Sequence, residues 1–463
     1  MDKVQDKVSS YAAALSNKDI TPQALRAVKR SLVDSVGCAL GAFSSDTAQV
    51  VRKVAGRVSS SRPATIIGTD TKTTPEMAAF ANGVAVRYLD FSDDYVKKDG
   101  PHPSDSLPAV LAVSEALHAD GMTFACGLTL AYEVIDRFVD AAEFMFRGFD
   151  YAPEHSMGSA MGCGKVFGLN REQMAHALSL SIVPNIALGQ TRKGALSMWK
   201  ACAGPNAARN GLFAAELASE GMSGPNEPFV GPFGLKNKVT GEFELMTFGG
   251  HGRPFLIEET FIKYRQVVYS ALVPVEIAFE MRKKVDIDKI DSITVFVHRR
   301  PVGTRESPED EEKWDPKTRE TADHSVPYCV VVALVDGVIT EKSFAPERFR
   351  DPKLLALLKK VKMREDLEYT REFYEKEGTA QYNCRIEIVD SSGRKFVQHG
   401  GNPKGHPGNP MSDAEISEKF LELTRATLGR KQAEAALDVM WKLEDVRDVG
   451  SILEAVAIRK GKK

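Results

Sequence analysis

Between Asp90 and Asp105 the chain gathers five carboxylates and one imidazole: Asp90-Phe91-Ser92-Asp93-Asp94-Tyr95, a spacer carrying Asp99, then His102-Pro103-Ser104-Asp105. An apolar run, Met77 to Val86, precedes the segment, and another, Leu107 to Val113, follows it. Titratable groups confined between two buried helices have the composition of a proton-transfer site, with an imidazole that titrates near neutral pH. A solvated acidic loop is the ordinary alternative.

Two lysines stand out for their surroundings. Lys200 follows Met198-Trp199 and leads into Ala201-Cys202-Ala203-Gly204-Pro205, and Lys263 lies between Ile262 and Tyr264. Burying an unpaired ammonium is costly, so each either snorkels to water or meets an anion. Two such cations suit a di- or tricarboxylate. A third polar concentration, Arg319-Glu320-Thr321-Ala322-Asp323-His324-Ser325, opens into Val326-Pro327-Tyr328 and an apolar helix, where capping is an equal reading. His155, in Glu154-His155-Ser156, is a lone histidine for which a structural role competes. Gly158-Ser159-Ala160-Met161-Gly162-Cys163-Gly164-Lys165 fails as a phosphate loop, because Ser159 stands where the first glycine belongs and Val166 replaces the Ser or Thr. Its small residues mark close helix packing.

These groups need elements to hold them. Up to about residue 262 the pattern is helical. Thr21-Pro22 starts one helix, and Asn170 with Gln173 caps another. Beyond that, Ile290–His298 and Tyr382–Val389 read as strands, and Asp390-Ser391-Ser392-Gly393 turns the second into Arg394–Val397 as a hairpin. Helices are expected near 268–284 and 326–337, and Ser412 with Glu415 opens a final helical stretch. The fold class is therefore mainly α with a smaller α+β domain: a helical body over 1–262, an inserted α+β lid over 263–404, and a return to the body over 405–463. The basic tail Arg459-Lys460-Gly461-Lys462-Lys463 reads as a solvated end.

Bulk properties narrow the function. A net charge of −2 gives no sign of nucleic acid or an anionic membrane as partner, and no apolar window is long enough to span a bilayer. The polar N-terminus lacks a signal core, and the six cysteines are far apart, which excludes CxxC metal or redox motifs. The expectation is a cytoplasmic protein with no metal and no cofactor.

Taken in order, Leu89-Asp90-Phe91 with Asp93, His102-Pro103-Ser104-Asp105, Trp199-Lys200, Ile262-Lys263-Tyr264, Thr321-Ala322-Asp323-His324-Ser325 with Pro327-Tyr328, and Lys404-Gly405-His406-Pro407 resemble the MmgE/PrpD family. That family holds 2-methylcitrate dehydratases, cis-aconitate decarboxylases and an iminodisuccinate epimerase. The resemblance implies a cofactor-independent lyase acting on a small polycarboxylate, in a homodimer of helical bodies with α+β lids. It implies that Asp90, His102, Lys200, Lys263 and Tyr328 occupy active-site positions: His102 as base, the lysines as carboxylate clamps, Tyr328 as proton donor and Asp90 as orienter. Ser104, Asp93 and His155 are assigned to substrate contact. Asp94, Tyr151 and Ser270 depart from the family pattern, which points to a changed substrate. Dehydration of the 2-methylcitrate type is the leading reading. Decarboxylation, epimerisation and an inactive binding member stand beside it.

Overall fold

The computed structural model describes residues 1–302, 310–375 and 380–459, so Lys460–Lys463 of the basic tail lie outside the described residues. The chain divides into two compact units, Met1–Gly189 with Ala201–Ile262 and the stretch from Ser412, and Gln190–Lys200 with Lys263–Met411. Residues 190–200, grouped with the helical body by sequence, thus cluster with the second unit. The architecture is mainly helical with a small mixed sheet, as the residue patterns imply.

The first unit is built from α1 (Pro22–Gly41), α2 (Pro75–Tyr88), α3 (Leu107–Ala116), α4 (Gly121–Ala141), α5 (Ala152–Phe167), α6 (Arg171–Ile182) and α7 (Ala203–Ser219). The start signals act as read. The Thr21 hydroxyl accepts from the Ala24 N–H at 3.0 Å, and Asn170 and Gln173 cap α6 reciprocally. The glycines of the rejected phosphate loop lie inside α5. A side chain at Gly158 would meet the Ala131 carbonyl at 2.6 Å, and one at Gly162 the Gly127 carbonyl at 2.6 Å, both on α4. Helix backbones this close exclude any larger residue. A two-residue ribbon, β1 (Asp93–Asp94) against β2 (Phe261–Ile262), ties the acidic segment to the end of this unit.

In the second unit, α8 (Leu272–Arg282) and α9 (Val326–Asp336) accompany a four-stranded sheet. Its strands are β3 (Ile290–Val297), β4 (Val361–Glu365), β5 (Cys384–Asp390) and β6 (Lys395–Gly400), in the order β4-β3-β5-β6. β3 runs parallel to β4, and β3–β5 and β5–β6 are antiparallel. A bulge between Ile290 and Ser292 shifts the alternation, so Ile290, Ile293, Val295 and Val297 all face the core. The hairpin turn is held by Asp390, whose Oδ1 accepts from the Ser392 and Arg394 N–H groups. Among the described residues no helix is long and apolar enough to cross a membrane.

The chain then returns to the first unit through α10 (Asp413–Thr424), capped reciprocally by Ser412 and Glu415, and α11 (Arg430–Trp441). Gly37 and Gly41 of α1 admit Phe420 and Leu423, since a side chain at either would meet them at 3.1 and 2.8 Å.

Two histidines make the second unit acid-sensitive. The His298 ring stacks on Phe373 at 3.8 Å, and burial, then Arg300, pushes it down to about 3. Nδ1 of His406 accepts from the Gly408 N–H, so Nε2 donates to the Ala380 carbonyl, and burial pushes this ring down to about 4. Both rings are neutral in folded and unfolded chains at pH 7. Below about pH 6.5 only the unfolded chain takes up the protons, so stability falls until the folded values are reached. Each ring should cost about 2 kcal/mol by pH 5, at about 1.4 kcal/mol per pH unit. The first unit responds with the opposite sign. Burial pushes Asp34 and Asp140 up to about 6, a penalty at neutral pH that is relieved as pH falls through 6. A lower urea midpoint at pH 5 than at pH 7, read by fluorescence of the buried Trp314, is the expected result, and the difference should shrink in His298→Asn/His406→Gln.

Candidate active site

α2 ends at Tyr88 with Leu89 as its cap, and Asp90 then turns the chain in the left-handed region at φ 52°. That conformation favours glycine, and aspartate is among the side chains that tolerate it best. The turn sends the fully buried Asp90 carboxylate back along the helix, where Oδ1 accepts from Nη1 of the buried Arg87 at 2.7 Å. The Arg87 guanidinium also hydrogen-bonds Tyr151 and faces Asp105.

Three residues on, Asp93 anchors the segment. Its carboxylate accepts from Tyr132 Oη at 2.7 Å, Ser31 Oγ at 3.3 Å and the Ser104 N–H at 3.0 Å. Burial still pushes it above the ordinary carboxylate range, with those hydrogen bonds pulling the other way. Asp136, fully buried on α4, is raised further by burial and by the negative charges of Asp140 and Asp93. The resemblance implies substrate contact for Asp93 and Ser104. In the folded chain the Asp93 carboxylate is spent on three donors of the protein, one of them the Ser104 N–H.

The Asp93 main chain decides the state of His102. Nδ1 of His102 lies 2.6 Å from the Asp93 carbonyl oxygen, which can only accept, so Nδ1 carries the proton. In the neutral ring Nε2 therefore holds the lone pair. Nε2 is 3.7 Å from Asp90 Oδ1, and Nδ1 is 3.8 Å from Asp94 Oδ2. An imidazole held in one tautomer, with a carboxylate beside the nitrogen that holds the lone pair, can take a proton and have the resulting charge stabilised.

His155 occupies a second, similar setting on α5. Its Nε2 is 3.8 Å from Asp105 Oδ2, its Nδ1 is 3.5 Å from Ser106 Oγ, and its ring meets Tyr151 edge-on at 5.7 Å. Gly204 at the start of α7 leaves room for the Asp105 carboxylate, which a side chain there would strike. Asp90, Asp93, His102, Ser104 and His155 thus all belong to the first unit.

The other three candidates belong to the second unit. Lys200 is 3 % exposed, and its Nζ pairs with Asp323 Oδ1 at 2.5 Å. Asp323 also accepts from His324 at 2.8 Å and pairs with Arg319 at 3.2 Å. Burial alone would raise Asp323. Lys200, His324 and Arg319 outweigh it and hold the carboxyl below its usual range. Lys200 and Arg319 thus set two permanent cations against the Asp323 carboxylate. Lys263 is completely buried at the first position after β2. Tyr328, one turn into α9, donates its hydroxyl to the Ser343 carbonyl at 2.8 Å and packs near Phe344 and Phe349.

Residue spacing did not reveal Arg87, Tyr132 or Lys419. From α10, Lys419 pairs with the buried Asp34 at 2.6 Å, donates to the Phe91 carbonyl at 2.6 Å and stacks on the Phe91 ring at 3.7 Å. It grips the acidic segment one residue past Asp90.

Residues 6–247 match the MmgE/PrpD N-terminal domain, and residues 267–445 match the MmgE/PrpD C-terminal domain. The chain belongs to the MmgE/PrpD family. It is 26% identical to a cis-aconitate decarboxylase of Mus musculus, over 97% of this chain and 92% of that protein. It is 24% identical to the mitochondrial 2-methylcitrate dehydratase of Yarrowia lipolytica, over 94% and 86% respectively. The 2-methylcitrate dehydratase of Salmonella typhimurium is also 24% identical, over 88% of this chain and 87% of its own. Both named activities are lyase reactions, so family membership supports an enzyme of the lyase kind.

Proposed function

We propose that this protein is a cofactor-independent lyase that removes a proton from carbon next to a carboxylate of a small di- or tricarboxylate, with loss of water as in the 2-methylcitrate dehydratases. The observation that carries the proposal is the His102 tautomer: Nδ1–H on the Asp93 carbonyl, which leaves the ring's lone pair on Nε2, 3.7 Å from Asp90. A proton next to a carboxylate is weakly acidic, so its removal needs a placed base and cations on the charge that develops. His102 Nε2 is the base. Asp90 orients the ring and stabilises the imidazolium. Lys200 and Lys263 hold substrate carboxylates, each contact contributing about 1.5–3 kcal/mol as a charge-assisted hydrogen bond. Asp93 and Ser104 keep His102 in place. Tyr328, whose hydroxyl donates to the Ser343 carbonyl in the ligand-free chain, gives its proton to the hydroxyl that leaves as water.

Decarboxylation is the second reading. The similarity to the mouse cis-aconitate decarboxylase, spanning nearly the whole chain, favours it. The two readings share the need for cationic clamps and differ in which bond breaks, C–O or C–C.

Thermal shift against a panel of polycarboxylates, followed by proton NMR of each stabilising compound with and without EDTA, tests the proposal. Binding to the folded chain raises the melting temperature by mass action. The expected result is turnover of a polycarboxylate to an unsaturated acid, unchanged by the chelator. Release of carbon dioxide moves the assignment to the second reading. Binding without turnover of any compound overturns both, and so does activity lost to EDTA and restored by a metal.

A further inference from the structure

We propose that Arg87 is a positioning residue that sets how strongly His102 holds a proton. The inference rests on the reading of His102 as the base, yet its observations stand by themselves. Arg87 is 1 % exposed, sits in the last turn of α2, and donates through Nη1 to Asp90 Oδ1 at 2.7 Å. That same oxygen is the one 3.7 Å from His102 Nε2. The guanidinium therefore acts on the imidazole through a shared carboxylate oxygen. Its hydrogen bond to Tyr151, whose ring meets His155, and its attraction to Asp105, which pairs with His155, place it between the two histidine–aspartate pairs.

The electrostatics follow from the order of charges. An opposite charge within about 4–6 Å favours the charged form of a titratable group. Asp90 alone would hold His102 strongly in its protonated form, and a protonated imidazole cannot serve as a base. Arg87 offsets much of that field and so weakens the hold of Asp90 on the imidazole proton. The other titratable groups on this segment are Asp93, Asp94, Tyr95, Lys97, Lys98, Asp99 and Asp105, and those on the elements packed around it include Asp34 on α1, Tyr132, Glu133, Asp136, Arg137 and Asp140 on α4, Tyr151, Glu154 and His155 at α5, and Lys419 on α10. The cations among them are engaged elsewhere, Lys97 by Asp140 and Glu259, Lys98 by the Ala141 carbonyl, Arg137 by Glu133, and Lys419 by Asp34 and the Phe91 carbonyl, whereas Arg87 bonds the Asp90 oxygen nearest His102.

The test is the titration of His102 in the whole protein, followed by NMR of 13Cε1-labelled histidine without substrate. The His102 resonance is identified by its loss in His102→Asn. Failure of the lyase reading leaves this measurement intact, since it needs no turnover. Arg87→Met should raise the His102 midpoint by about 1–2 pH units, the usual effect of an uncompensated neighbouring charge. Arg87→Lys, which keeps the charge, should stay within about 0.3 units of the native protein, well below that effect. Arg87→Met/Asp90→Asn should fall below the native value. Replacing both partners of the buried pair removes the carboxylate that Arg87→Met would strand, so this variant is the one to titrate where Arg87→Met does not fold. A structural role alone would change melting temperature and leave the midpoint in place. An Arg87→Met midpoint equal to the native one overturns the proposal. If that variant does not fold, a double variant at or above the native midpoint overturns it.

Discussion

His102→Asn should lower turnover by about 10²–10⁴-fold, the contribution of a positioned general base, with little change in melting temperature. Asparagine keeps an N–H able to donate to the Asp93 carbonyl, now met by Nδ1 at 2.6 Å, so the segment remains anchored. It offers no lone pair of useful basicity where Nε2 stands beside Asp90. The measurement is exchange of the substrate's carbon-bound proton with deuterated water in a single turnover. Exchange at the native rate would remove His102 from the role of base. His155, beside Asp105, would then be the group to replace.

The second large effect concerns Lys200. Its ammonium is buried against Asp323, so Lys200→Ala removes a substrate contact and also strips a buried carboxylate of its closest cation. Breaking such a pair from one side costs about 3–5 kcal/mol. Arg319, at 3.2 Å, and His324, at 2.8 Å, remain on Asp323, which puts the expected loss at the lower end, about 3 kcal/mol. Lys200→Ala/Asp323→Ala should recover most of that stability and none of the turnover. Equal stability of the single and double variants would show that Asp323 does not depend on Lys200. Full activity in either would make the lysine purely structural.

What the residues announced and what they hid separate by the range of the contact. Thr21-Pro22, Asn170 with Gln173, and Ser412 with Glu415 are local signals, and each starts a helix where read. β3 and the β5–β6 hairpin carry β-branched alternation and a turn rich in Asp, Ser and Gly. β4 escaped notice: Val361-Lys362-Met363-Arg364-Glu365 is short, largely charged and an edge strand. The acidic segment was legible because Asp90, Asp93 and His102 are near neighbours in the chain. Arg87 left a faint mark, an arginine in an apolar helix three residues before an aspartate. Tyr132 and Ser31 left none, since a hydroxyl in a helical run says nothing about the carboxylate it meets across the fold. Asp323 stood in a polar cluster that capping explained equally well, and only the pairing with Lys200 distinguishes it.

The Lys419 contact also sets a timetable for biosynthesis. The nascent chain has Asp34 and Phe91 early, whereas the cation that neutralises one and caps the other is carried by α10. At about 5–20 residues per second, a ribosome needs roughly 8–30 s to travel from Ile262 to Ser412. Throughout that interval Asp34 has no Lys419 beside it, and the turn holding Asp90 lacks its outer clasp. The first unit therefore completes its fold only once α10 has left the exit tunnel. A transcript cut short before Ser412 yields a polypeptide that carries every candidate catalytic residue and still cannot lock the aspartate segment in place.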